Sequence, residues 1–83
     1  MAGTLPNLVA QKEGLAVQLD YVGGPGDAPV YVGFAIPGTP TSFPTWRIMK
    51  LTYSGENLLS VLWAGGNNQF VNVWDNRAAL LYS

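Results

Sequence analysis

Hydrophobic and polar positions alternate with a period of two along much of this chain. Residues 15–22 (LAVQLDYV) place apolar side chains on one face of an extended segment, which is typical of a half-buried strand. Residues 30–36 (VYVGFAI) are rich in β-branched and aromatic residues, and Gly33 among them indicates a bulge or a close backbone approach. The glycine- and proline-rich segment between them cannot pair in a sheet, so the pattern predicts a first hairpin.

A second hairpin is predicted further along the chain. Residues 45–53 (TWRIMKLTY) are strand-like by composition, although Arg47 shares a face with Met49, Leu51 and Tyr53. The sequence SGEN is a hairpin turn composition, and LLSVLWA then predicts the returning strand. The segment PGTPTSFP between the two hairpins contains three prolines, so we expect a long loop that is exposed apart from Phe43.

The C-terminal segment permits two interpretations. Phe70, Val73, Trp74 and Arg77 are spaced as one face of a helix, and an asparagine precedes them as a possible N-cap. The same residues also alternate as a strand would. We favour a short helical turn followed by a final strand over residues 78–82.

These elements define a mainly β fold. The prediction is a single small antiparallel β-sandwich or barrel of about five strands over residues 15–83, with one short helical turn near the C-terminus. Residues 1–14 show no clear period and are predicted to form an extended arm. Leu5, Leu8 and Val9 make this arm too apolar for an ordinary solvated tail, so we expect it to lie on its own domain or on a neighbour. A poorly ordered terminus is the alternative.

Composition limits the chemistry that is available. The chain has 83 residues with no cysteine and no histidine, which removes disulfides, thiolate nucleophiles, imidazole bases and zinc-finger sites. Hydrophobic residues make up 48% of the chain and charged residues only 11%, against about 25% charged in typical soluble domains. Much of the surface must therefore be uncharged, which favours contact with other subunits.

Charge and hydropathy limit the classes of partner that the sequence predicts. The net charge is −1 and the four basic residues are spread along the chain, so binding to nucleic acid through phosphate neutralisation is not expected. No apolar run approaches the ~20 residues of a membrane span, and no signal peptide is recognisable at the N-terminus. We therefore expect no membrane partner and a chain that stays in the cytoplasm or in a particle assembled there. Neither a metal nor a cofactor is predicted.

One charged pair stands out near the C-terminus. Asp75 and Arg77 lie two residues apart in an otherwise apolar run and could act in acid–base chemistry, grip a ligand, or form an internal clamp. An ion pair in such surroundings is more often structural, so we predict a clamp. A hydrolase with paired carboxylates is disfavoured because most of the acidic residues lie in or beside turns and the arm. The prediction is a protein that is not an enzyme.

The three tryptophans also allow two interpretations. Trp46, Trp63 and Trp74 could form a stacking platform for sugars or bases. In a domain of this size each is more economically explained as part of the core, where an aromatic side chain buries ~150–250 Å². We predict that they are core aromatics.

The chain from residue 31 onward carries a recurring set of motifs. They are the stretch YVGFAIPGT, a Trp-x-Ile strand, and the ending Trp-Ala-x-Gly-x-x-x-Phe-x-x-x-Trp-Asp-x-Arg, which spans residues 63–77. This pattern resembles small virion proteins of tailed bacteriophages and covers about two-thirds of the chain. An acidic residue often follows the phenylalanine of this ending, and Val71 stands there instead.

The resemblance implies a component of a tailed-phage virion that contacts other virion proteins, either major capsid or tail proteins. Together with the low charge, it leads us to expect a capsid decoration or cement protein, present as a homo-oligomer or in many copies. Leu5, Leu8, Val9 and Phe43 are the predicted partner contacts. The alternative is a tail-fibre or adhesin module that binds host saccharide through exposed tryptophans and asparagines.

Overall fold

The computed structural model describes residues 14–26 and 28–83. Four strands form one sheet in the order β1-β2-β3-β4, and each strand is antiparallel to its neighbours. A single 3-10 helix follows the last strand. The elements are β1 Ala16–Asp20, β2 Tyr31–Ala35, β3 Arg47–Ser54, β4 Asn57–Trp63 and the 3-10 helix Trp74–Ala79.

Both predicted hairpins and the mainly β fold are confirmed. The tight turn between β3 and β4 has Gly55 at φ 61°, a left-handed conformation that glycine adopts without steric cost. The described residues form one open sheet of four strands, so the predicted fifth strand and the sandwich or barrel are not confirmed.

The predicted final strand over residues 78–82 is replaced by other structure. The 3-10 helix continues to Ala79, and Tyr82 then makes an isolated bridge with Ala64. Ser83 exchanges two backbone hydrogen bonds with Trp63, each of 3.1 Å. Because the helix takes up the first residues of the predicted strand, only the last three residues remain to run beside the end of β4.

The sheet has an apolar cluster on each side. The first, which we call the tryptophan face, is covered by the C-terminal segment and contains the buried residues Ala35, Trp46, Ile48, Ala64 and Trp74. The second, which we call the aliphatic face, is built from the alternate residues of the same strands. Its buried members are Val32, Phe34 and Leu51, with Leu15, Val17, Leu19, Met49 and Tyr53 packed around them.

Gly33 allows the C-terminal segment to pack onto the tryptophan face. A Cβ atom at this position would lie 2.5 Å from Cε3 of Trp74 and 3.2 Å from Cε3 of Trp46. The two indoles pack against each other with ring centroids 6.1 Å apart and a tilt of 40°. The glycine therefore marks a close approach between the backbone of β2 and a side chain, one of the two alternatives expected from the sequence.

Replacing Gly33 with alanine should lower the free energy of unfolding by about 1–3 kcal/mol, the usual cost of adding a methyl group to a filled core. Urea denaturation followed by circular dichroism measures this change. The matched control is the same substitution in a Trp74→Phe background, where the smaller ring leaves room for the methyl group. We expect the cost of Gly33→Ala to fall by at least half there, and an equal cost in both backgrounds would contradict the proposed contact.

Candidate functional site

Arg77 forms an ion pair with Asp20, which lies at the end of β1. Arg77 Nε donates to Asp20 Oδ2 at 2.8 Å, and the exposed fractions of the two side chains are 28% and 14%. The predicted clamp between Asp75 and Arg77 is therefore wrong in its acidic partner. With about three residues per turn in a 3-10 helix, residues two apart point in different directions. Arg77 thus reaches the sheet, whereas Asp75 is exposed.

Further contacts of Arg77 hold the C-terminal segment together. Its guanidinium carbon lies 4.6 Å from the centroid of the Trp74 ring, and its Nη1 donates to the Trp74 carbonyl at 3.2 Å. The Tyr82 hydroxyl donates to the Arg77 carbonyl at 2.8 Å. Burial raises the pKa of Tyr82 to about 12; a smaller effect of Tyr31 adds to this rise, and the charge of Arg77 opposes it. All of these partners lie within the chain, so Arg77 has a structural role.

The pKa of the Asp20 carboxyl lies below its ordinary value. The main cause is the Val22 backbone N–H, which donates to Asp20 Oδ1 at 3.0 Å. Burial opposes this effect, and the hydrogen bond and charge of Arg77 lower the pKa further. The carboxylate therefore stays ionised and engaged at neutral pH, which does not suit a group that must exchange protons during catalysis.

The described residues offer no cluster of metal-binding side chains. Residues 14–26 and 28–83 contain no group of three or more histidine, cysteine, aspartate or glutamate side chains that could hold a metal ion. Glu56 and Asp75 are exposed, and Asp20 is held by Arg77. No helix in this part of the chain is long and apolar enough to cross a membrane.

The tryptophans occupy different environments. Trp46 and Trp74 are buried, and Trp46 Nε1 donates to the Pro40 carbonyl at 3.0 Å. Trp63 is half-buried, with the guanidinium carbon of Arg47 5.8 Å from its ring centroid. Neither buried indole can present its face to a ligand without unpacking the core.

Arg47, the first residue of β3, lies against three aromatic rings. Its guanidinium carbon lies 4.7 Å from the Phe70 centroid and 5.1 Å from the Phe34 centroid, in addition to the contact with Trp63. Such stacking stabilises a cation by ~0.5–2 kcal/mol per ring. Arg47 was not a predicted site residue. The sequence did contain a signal for this role. Arg47 shares a strand face with the apolar residues Met49 and Leu51, and a cation on such a face needs side chains that stabilise its charge.

Phe70 also lines an apolar pocket at one end of the sheet. The pocket has a volume of about 540 Å³, and its lining residues are Leu15, Ile36, Thr39, Thr45 and Phe70. The Thr39 hydroxyl donates to the Ile36 carbonyl at 2.6 Å, so the hydrogen of this hydroxyl is already used within the loop. The pocket therefore offers mainly apolar contact. Arg47 stacks on Phe70, which is one of its lining residues.

Two further apolar features lie on the surface. In β4, Leu58, Leu59 and Val61 have exposed fractions of 52%, 66% and 42%; we call these three residues the β4 strip. Phe43, the predicted exception to the exposure of the proline-rich loop and a predicted partner contact, is 52% exposed. The loop is held just before this residue, because the Pro40 carbonyl accepts from Trp46 Nε1 and the Thr41 carbonyl accepts from the Asp75 backbone N–H at 3.2 Å. The other predicted contacts, Leu5, Leu8 and Val9, lie outside the described residues.

Comparison of the chain with models of known protein families, with curated proteins and with solved structures gave no match. The candidate site is therefore defined by the chain's own geometry. It consists of the apolar pocket, the exposed Phe43 and the β4 strip.

The ion pair predicts an acid-sensitive stability. The pKa of Asp20 is lowered in the folded protein. The ionised carboxylate therefore stabilises the fold at pH values above its unfolded-state pKa of about 4, and this stabilisation is lost as the pH falls through its folded-state pKa. At pH 7 we expect Asp20→Asn to lower the free energy of unfolding by about 1–2 kcal/mol, a hydrogen bond to a charged group reduced by partial exposure. The difference from the wild type should disappear at low pH.

Asp75→Asn is the matched control for this measurement, since it removes one carboxylate that makes no ion pair with Arg77. Urea denaturation of the three proteins between pH 7 and pH 2 should show a pH-dependent difference in stability from the wild type only for Asp20→Asn. A larger effect from Asp75→Asn would contradict the assignment of the clamp.

Proposed function

We propose that this chain is a non-enzymatic structural protein of a tailed-phage virion, a capsid decoration or cement protein that binds in many copies to the particle. The observation that carries the proposal is the amount of exposed apolar surface on a chain with few charges. The assignment to a phage particle depends on the resemblance of residues 31–83 to small virion proteins, and the following points support a docking role.

The exposed apolar groups lie at separate places on the described surface. Ile36 and Phe70 line the apolar pocket and are themselves exposed, Phe43 projects from its loop, and the β4 strip follows the last strand. Contiguous exposed apolar surface commonly marks a protein interface, and the cores of interfaces are depleted in charged residues. A subunit that must contact several neighbours needs more than one such surface.

Phe43 is well suited to act as an anchor. Its loop is held by the bonds to Pro40 and Thr41 described above, so little conformational freedom remains to be lost when a partner binds. Burying a phenylalanine side chain is worth ~1.5–3 kcal/mol. An aromatic side chain presented in this way is the type of residue that dominates binding energy at interfaces.

Docking of many copies would stabilise a particle by mass action. A protein that binds the assembled lattice and not its free subunits shifts the equilibrium toward assembly. The same contacts would stabilise the docked protein, which matters because a chain of 83 residues has a thin margin of stability by itself. The expected result is a lattice with greater resistance to internal pressure.

The saccharide-binding alternative finds less support in the positions of the tryptophans. Trp46 and Trp74 are buried, and Trp63 is half-buried beside Arg47. Asn67 is engaged within its own loop, where Oδ1 accepts from the Gln69 backbone N–H at 3.0 Å. A platform made of several exposed tryptophans is therefore not available on the folded domain.

Binding of purified protein to phage particles assembled without it tests the proposal. We expect saturable binding of many copies per particle. Phe43→Ser should weaken the affinity at least tenfold, the equivalent of about 1.4 kcal/mol. The matched control is Val22→Ser, which removes an exposed valine in the turn after β1 and should leave binding unchanged.

Deletion of residues 1–13 extends the same test to Leu5, Leu8 and Val9. Circular dichroism should show a folded domain, and sedimentation with particles should show that binding is lost. Full binding by both the truncated protein and Phe43→Ser would reject the assigned contacts. Absence of the protein from purified particles of the phage that encodes it would reject the function.

A further inference from the structure

The outer edge of β4 is only partly paired. β4 pairs with β3 on one side, and the backbone N–H of the next residue, Ala64, donates to the Ile48 carbonyl of β3 at 3.0 Å. The Trp63 N–H faces the opposite way and donates to Ser83. Because backbone groups alternate in direction along a strand, Leu62 faces β3 and the N–H and C=O of Val61 face away from it.

Residues 81–83 cover one end of this edge. Ser83 pairs with Trp63, and Leu81 accepts from the Gly65 N–H at 2.8 Å. Beyond Trp63, no segment within residues 14–26 and 28–83 pairs with the outer edge of β4. The part of the edge that no described residue covers coincides with the β4 strip.

Composition makes this edge receptive to another strand. The segment Asn57–Trp63 (NLLSVLW) contains no charged residue, no proline and no glycine, the kinds of residue that natural proteins use to block pairing at exposed edges. Its one protective feature is the irregularity opposite Thr52 and Tyr53. Unpaired backbone groups and exposed apolar side chains therefore occur together on the same strand.

We propose that β4 pairs in antiparallel fashion with β4 of a second copy of this chain, about a two-fold axis. A two-fold interface brings identical patches together, and an uncharged strand meets its own copy without opposing like charges. Val61 lies opposite Leu51, and Leu58 opposite Tyr53, so the strip continues the aliphatic face. Pairing of the two copies joins their aliphatic faces side by side and covers the exposed leucines and valine.

This dimer does not depend on docking to a particle, because it forms between free copies of the protein. If the proposed function also holds, the dimer is the unit that docks. Failure of the dimer would leave particle binding intact, and failure of particle binding would leave the dimer intact.

Sedimentation equilibrium and native mass spectrometry of the purified full chain test the proposal. The expected species has twice the monomer mass of 8.9 kDa. Val61→Lys places a charge on the strip and should weaken dimerisation at least tenfold. Val22→Lys is the matched control, since it introduces the same charge at a valine that is 84% exposed in the turn after β1, and it should dimerise as the wild type does.

Amide hydrogen exchange of the wild type provides a second measurement, which decides the question even if Val61→Lys fails to fold. The Val61 amide should become protected as the protein concentration rises through the dimerisation range, whereas the Leu62 amide, which faces β3, should be protected throughout. A monomer at every concentration, a trimer, or a dimer unaffected by Val61→Lys would overturn the proposal. Protection of Val61 that appears only when particles are added would assign the edge to another protein and would also overturn it.

Discussion

The contact between Trp74 and the backbone of Gly33 is the constraint on which the rest of the structure depends. The indole can lie this close to β2 only because this position lacks a side chain, and it brings the 3-10 helix onto the sheet with it. Once the helix is in place, Arg77 reaches Asp20 across 57 residues of sequence, and the last residues return to the end of β4. A single close approach thus joins the final quarter of the chain to the hairpins that precede it.

The same arrangement determines which surfaces remain for partners. The C-terminal segment covers the tryptophan face. Trp46 and Trp74 are therefore buried, and Arg77 is paired with Asp20 within the domain. The surfaces left uncovered within the described residues are apolar and weakly charged: the pocket beside Phe70, the tip of the proline-rich loop, and β4. Few charged groups surround these surfaces, and the cores of protein interfaces are likewise depleted in charge. This composition favours stable contact with other subunits.

The sequence predicted local structure well and distant pairing poorly. The two hairpins followed from alternation and turn composition, because both depend on residues close together in the chain. The partner of Arg77 could not be found in this way, since Asp20 comes near only after the whole sheet has formed, and the adjacent Asp75 was the obvious but wrong choice. The final strand failed for a related reason: packing of Trp74 favours a 3-10 helix over residues whose composition also suits a strand.

The candidate site was predicted to a smaller extent. The proline-rich loop was expected to be exposed apart from Phe43, yet Phe43 itself is 52% exposed. The aromatic surroundings of Arg47 required knowledge that Phe70 returns to the sheet, which no local pattern provides. The position of β4 at the edge of the sheet could not be predicted either, because the order of the strands is a property of the topology and not of the residues of one strand.

The proposal that this chain covers uncharged surface against other subunits of a tailed-phage particle is tested most directly by a reconstruction of such a particle. We expect density for many copies of the domain at equivalent lattice positions, with Phe43 buried at a contact between subunits. A particle that contains no copy of the domain, or copies that contact the lattice through charged groups while Phe43 stays in solvent, would contradict it.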